Sequence, residues 1–177
     1  MYCGLNRYMG LYEGASYASM LGVQSKLRIA GLIWNKISQP RHIFIVWLAV
    51  QGRLLTKDRL QRMNIPVDTI TCSLCDAQAV ETQYHLFSVC DWTKRLVTTM
   101  AQWTGVQIPS GDVKQVLNRI RRRHWKQLYK EIIAALWGSI VYYVWQARNW
   151  KLYRGTVQGH YCDYRYNNYT DQTKFLC

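Results

Sequence analysis

Acidic residues are scarce in this 177-residue chain. Ten Asp plus Glu stand against 23 Lys plus Arg, a formal net charge of +13. The ten are scattered, with no adjacent Asp pair and no pair assignable as acid and base. Two-metal active sites need clustered carboxylates, so this scarcity argues against catalysis. The excess of positive charge points to a polyanionic partner, nucleic acid first and an anionic membrane surface second. A generally basic, solvated surface is the plainer alternative.

A long hydrophobic run is also missing. The longest, "IIAALWGSIVYYVWQA" at 132–147, spans 16 residues, whereas a membrane-crossing helix needs about 20. Lys130, Glu131 and Arg148 flank it, and Gly138 and Ser139 interrupt it. It reads as a buried helix, and no membrane partner is expected. The start, "MYCGLNRYMGLYEGASYASM", lacks the unbroken apolar core of a secretory signal. The expected location is therefore intracellular, nucleus or cytoplasm, where disulfides are rare.

What is present suffices for one folded domain: 49% of residues are hydrophobic and 14% aromatic. The pattern predicts a mostly α fold. Residues 16–23 suit a short helix, and Trp34 in the next segment suits a core anchor. Pro40 opens a helix that Gly52 closes. Along it Phe44, Trp47, Leu48 and Gln51 share one face, with Ile43, Val46 and Val50 beside it. Thr56 is placed to cap the following helix, with Asp58 in its first turn and a Leu55–Leu60 staple, and Asn64 and Pro66 stop it. "VDTITC" reads as extended. A helix from Glu81 carries His85, and another follows Cys90. Pro109, Ser110 and Gly111 form a linker into a long helical stretch with a break near Arg123. From Gly155 the tail is polar and tyrosine-rich, and reads as unstructured.

Three of the six cysteines and one of the four histidines crowd into "TCSLCDAQAVETQYHLFSVC", residues 71–90. Their pattern is C-x2-C-x9-H-x4-C. Cys72 and Cys75 make a tight thiolate knuckle, and His85 and Cys90 are spaced to complete a tetrahedron. Zn2+ takes such a set, and four protein ligands make a structural rather than a catalytic site. The competing readings are buried cysteines beside a satisfied histidine, or a Cys72–Cys75 disulfide. The ligand count and spacing favour zinc. His160 and Cys162 form a much weaker pair without partners, Cys3 and Cys177 read as free thiols, and His42 and His124 receive no catalytic role.

These motifs carry a resemblance. "PRHIFIVWLAVQGRLLTKDRL", "CSLC", "ETQYHLFSVC" and "VYYVWQARN" resemble the zinc-binding region downstream of the reverse transcriptase domain in plant LINE-type (non-LTR) retrotransposons. The likeness covers residues 15–103 and continues more weakly to 154. Ser88 and Asp91 depart from the usual pattern, but neither is a ligand. The resemblance implies a module that helps to hold template RNA or target DNA, with a reverse transcriptase polypeptide as a further partner. The polymerase's aromatic-x-Asp-Asp loop and an RNase H carboxylate cluster are both missing. The organisation expected is an N-terminal extension (1–14), the zinc-binding domain (15–103), a basic and apolar helical segment (104–154) and a tail (155–177).

The residues offer two basic patches for nucleic acid. One is Arg53, Lys57, Arg59 and Arg62, next to the knuckle. The other is "RIRRRHWKQLYK", with Arg119, Arg121, Arg122, Arg123, Lys126 and Lys130, where Arg119, Arg122 and Lys126 are expected on one helical face. Arginines there would contact phosphates, and Trp125 or Tyr129 would stack on unpaired bases, single-stranded RNA being favoured. The competing reading packs both aromatics in the core. The expected function is a zinc-stabilised, non-catalytic nucleic-acid-binding module. The alternative is an inert or protein-interaction fragment of a mobile element.

Overall fold

The computed structural model describes residues 27–109 and 111–154. The expectations for 1–14, 16–23 and the tail, and for Cys3, His160, Cys162 and Cys177, lie outside the described residues. Among the described residues six α-helices follow one another: α1 (Ala30–Ile33), α2 (Pro40–Val50), α3 (Lys57–Arg62), α4 (Asp91–Thr104), α5 (Val113–Arg122) and α6 (Gln127–Arg154). A π-helical turn, His85–Val89, precedes α4. Among the described residues the only β pairing is one antiparallel bridge, Thr71 to Val80.

The local signals explain most boundaries. Pro40 lacks the N–H that an opening turn leaves unbonded, so it starts α2 without cost. Gly52 follows α2 at φ 64°, a conformation that favours glycine. Asn64 does the same after α3 at φ 56°. Thr56 stands at the N-cap of α3, but its hydroxyl donates to the Asp58 carboxylate rather than capping a backbone N–H. Asp112 caps α5 by accepting from the Gln115 N–H at 2.7 Å. Arg123 turns to extended backbone, φ −68° and ψ 146°, and separates α5 from α6.

The organising element is α6. It packs on α1, α2 and α5, and also reaches α4 and the π-helical turn. Ile133, Ala134, Trp137, Ile140, Val141, Val144 and Ala147 are buried along it. They meet Val46 and Ala49 of α2, and Val113, Val116, Leu117 and Ile120 of α5, in one core. This core draws on residues both before and after position 104. The apolar run therefore lies against protein, and no described helix is long and apolar enough to cross a membrane.

Two core expectations need correction. Trp34 is not an anchor: it is 60% exposed, and its neighbours Ile29, Leu32 and Ile33 are buried instead. The buried face of α2 is His42, Val46 and Ala49, not the Phe44 face. Phe44 is 55% exposed and stacks on the half-buried Trp47, ring centroids 6.5 Å apart. In a helix apolar on several sides the pattern alone does not choose the inward face. Here α6 chooses it, by offering Tyr142 and Tyr143 to the His42 ring. The proposed staple also fails, since Leu55 is exposed.

Candidate metal centre

A short hairpin presents the first two cysteines. The Cys72 N–H donates to Ala79 O at 2.8 Å, and the Glu81 N–H donates to Ile70 O at 2.8 Å. Between these rungs the chain reverses, with Gln78 at φ 50°. The turn is tight enough for the Leu74 N–H to reach the Cys72 sulfur at 3.4 Å. The other two ligands come from the π-helical turn. There the Cys90 N–H bonds to His85 O at 2.8 Å, a five-residue step in place of the usual four. That wider turn brings His85 and Cys90 to the same point. Thr82 holds its start by accepting from the His85 N–H at 2.9 Å, and Thr93 ties its middle by donating to Leu86 O at 2.7 Å.

The four side chains converge. Cys72 Sγ lies 4.0 Å from Cys90 Sγ, and Cys75 Sγ lies 3.3 Å from His85 Nε2. All four donor atoms fall within 4.8 Å of one another. A tetrahedral zinc with Zn–S bonds of about 2.3 Å separates its sulfurs by about 3.8 Å. The donor set and its spacing thus fit Zn2+. Three sulfurs and one imidazole nitrogen are its usual structural ligands, and they leave no open coordination position.

The electrostatics favour one thiolate in the Cys72–Cys90 pair. The Cys90 thiol is pulled down to about 5, first by the hydrogen bond with Cys72 and then by the Thr93 and Trp92 N–H groups at the start of α4. Cys72 moves the opposite way, because that same hydrogen bond and its burial hold the proton. The pair without metal therefore shares one proton between two sulfurs. Zinc replaces that proton, since it binds the deprotonated forms.

Behind the ligands lies a buried ion pair that sequence reasoning did not single out. Glu81 and Arg148 are 0% and 1% exposed in their side chains. Arg148 donates to Glu81 Oε1 from Nη2 at 2.7 Å and from Nε at 2.9 Å. The same oxygen accepts from the Lys57 N–H at 3.2 Å, and Oε2 accepts from the Ser73 N–H at 3.3 Å. One carboxylate thus joins α3, the hairpin and α6. Gln83 adds a link to α2, donating to Ala49 O at 2.7 Å. Glu81 and Arg148 lie in two separate motifs, and nothing in their spacing joins residues 67 apart.

The basic residues fall into several environments. Arg53, Arg62, Arg119, Arg122, Arg123 and Lys126 are exposed. Arg62 pairs with Asp58 at 2.8 Å, and Arg59 donates to Gly52 O. Lys57 is buried. Arg121 and Lys130 are half-buried, and Lys130 donates to Arg121 O at 3.0 Å. The single face expected for Arg119, Arg122 and Lys126 does not form, because the break at Arg123 leaves Lys126 outside both helices. Trp125 is half-buried against the core, while Tyr129 meets it edge-on and is 40% exposed.

No curated protein and no solved structure matches the chain. Residues 14–96, which take in all four ligands and stop within α4, match the family described as zinc-binding in reverse transcriptase, an accessory zinc-binding domain distinct from the catalytic polymerase domain.

Proposed function

We propose that this protein is a zinc-stabilised, non-catalytic nucleic-acid-binding module from a LINE-type retrotransposon of plants, working beside a reverse transcriptase polypeptide. The carrying observation is the pairing of a closed Cys3His group with a net charge of +13. A four-ligand metal has no site for a reacting water, so its contribution is rigidity. Exposed arginines on a rigid frame contact phosphates without ordering themselves at each encounter. Arg119, Arg122 and Arg123 provide such groups around the break between α5 and α6. Arg123 lies 5.7 Å from the centre of the Trp125 ring. Tyr129 is the better stacking surface of the two aromatics, since Trp125 packs against the core.

The test is fluorescence anisotropy of labelled single-stranded RNA on zinc-loaded protein. Changing Arg119, Arg122 and Arg123 together to Gln weakens binding to all sequences about equally, because phosphate contacts carry no sequence information. The slope of log affinity against log salt flattens by about 0.7 per lost contact. Equal binding by wild type and variant at low and physiological salt removes this patch from the reading. A second reading, a protein-interaction fragment, is favoured by the exposed Trp34 and the exposed Phe44 beside Trp47. Failure of wild type to bind RNA or DNA at any salt leaves that one standing.

A further inference from the structure

An open cavity of about 360 Å³ lies against the metal centre. Its walls are Lys57 of α3, Thr69, Thr71, Ser73 and Gln78 of the hairpin, and Lys151 of α6, with Asp76 and the two knuckle cysteines also present. The size suits a small ligand or one unit of a polymer.

Lys57 is the unusual member. Its side chain is buried, with the residue only 7% exposed, yet no carboxylate of the described residues pairs with it. Burying a cation without a counter-charge is costly. Its ammonium donates to Thr71 O at 2.8 Å and Thr69 Oγ1 at 3.2 Å, both neutral oxygens. An ammonium has three donors, so one N–H is left over. Ser73 Oγ, in the same wall, is buried and also lacks a partner. Lys151 adds an exposed ammonium one helical turn beyond the buried Arg148. Such a wall is rich in unsatisfied donors around a fixed positive charge.

The geometry points to this cavity as a seat for one phosphate group, held by Lys57, Lys151 and Ser73. The opposing charges choose which phosphate. Asp76 and a Cys3His zinc, formally −1, return negative charge to the walls. A singly charged phosphodiester therefore suits the cavity better than a doubly charged free phosphate. The ligand is then one backbone phosphate of a nucleic acid, gripped beside the metal rather than on the outer arginines. The choice of polynucleotide as its source rests on the proposed function, whereas the phosphate chemistry does not.

The experiment is an amide NMR titration of zinc-loaded protein, run in parallel with anisotropy. The two probes are a single-stranded oligoribonucleotide and inorganic phosphate. The oligonucleotide is expected to shift the Thr71, Ser73 and Gln78 amides in a saturable way, with inorganic phosphate far weaker. Lys151→Glu, at an exposed position, weakens oligonucleotide binding by about tenfold, and Asp76→Asn strengthens it by about twofold to fivefold. Zinc content, measured for both variants, stays as in wild type. Binding by anisotropy without shifts at these amides, or without response to either variant, overturns the cavity and leaves the proposed function intact. Saturable shifts with phosphate but none with oligonucleotide overturn the backbone assignment and count against the proposed function. No shifts with either probe overturn the inference outright.

Discussion

The zinc hairpin and the α6 bundle are held together by different physics. In the bundle, Trp137, Ile140, Val141 and Val144 are almost wholly buried against aliphatic neighbours from three other helices. Removal of apolar area from water stabilises such a region. The hairpin has one isolated bridge, an exposed Val80 and a turn rich in polar residues. Its fixed points are four metal-binding side chains, one buried carboxylate and a single apolar contact to the core, Leu74. A stretch too short and too polar to build a core is thereby ordered by a few strong, directional bonds.

The sharpest way to break this contrast is to remove the metal. Chelation, or Cys75→Ser, is expected to abolish zinc binding and disorder residues 70–90, since structural zinc sites contribute about 10–16 kcal/mol of apparent binding energy. Helical circular dichroism should fall much less than zinc content. Trp137→Ala is the reverse experiment. It is expected to cost about 3–5 kcal/mol in denaturant unfolding, with the folded fraction still binding one zinc. Equal loss of helix in the two cases would show one cooperative unit and erase the distinction.

Next in size is the joint between the regions. Arg148→Ala leaves Glu81 as a buried, unpaired carboxylate, a change that costs about 3–5 kcal/mol. The double change Glu81→Gln with Arg148→Met should be milder than Arg148→Ala, because no buried charge remains. Urea unfolding midpoints compare them, and a double variant as unstable as the single one would mean that the hydrogen bonds, not the charge, matter.

The smallest effect belongs to His42, inside the bundle. Burial, and then the neighbouring Arg41 charge, hold its pKa below the ordinary value. The folded protein therefore keeps it neutral where the unfolded chain takes up a proton. Its contribution is fully present above about pH 6.5 and is lost as pH falls below that. Wild type should lose stability relative to His42→Phe between about pH 6.5 and 5, by no more than about 1.4 kcal/mol per pH unit. Parallel stability curves for the two proteins would refute it.

These differences also set what the sequence revealed. Cys72, Cys75, His85 and Cys90 were legible because ligand chemistry restricts residue type and spacing together. Helix ends at Pro40, Gly52 and Arg123 were legible because proline, glycine and charge act locally. The inward face of α2 was not, since Phe44, Val46 and Trp47 are interchangeable by hydrophobicity and only the position of α6 separates them. Nor was Lys57, which composition assigns to a basic surface and the fold buries beside the hairpin. Glu81 looked like an ordinary acid opening a helix until its partner arrived from the far end of the chain.

That distance affects biosynthesis. Glu81 and Arg148 are separated by 67 residues. At about 5–20 residues per second, a ribosome needs roughly 3 to 13 s to add them. Once Cys90 has been added, early in that interval, the nascent chain carries all four metal ligands without the helix that packs behind them. The ligand set is thus complete before the core is, and termination between Cys90 and Arg148 would release a polypeptide that carries all four ligands and leaves Glu81 without its buried partner.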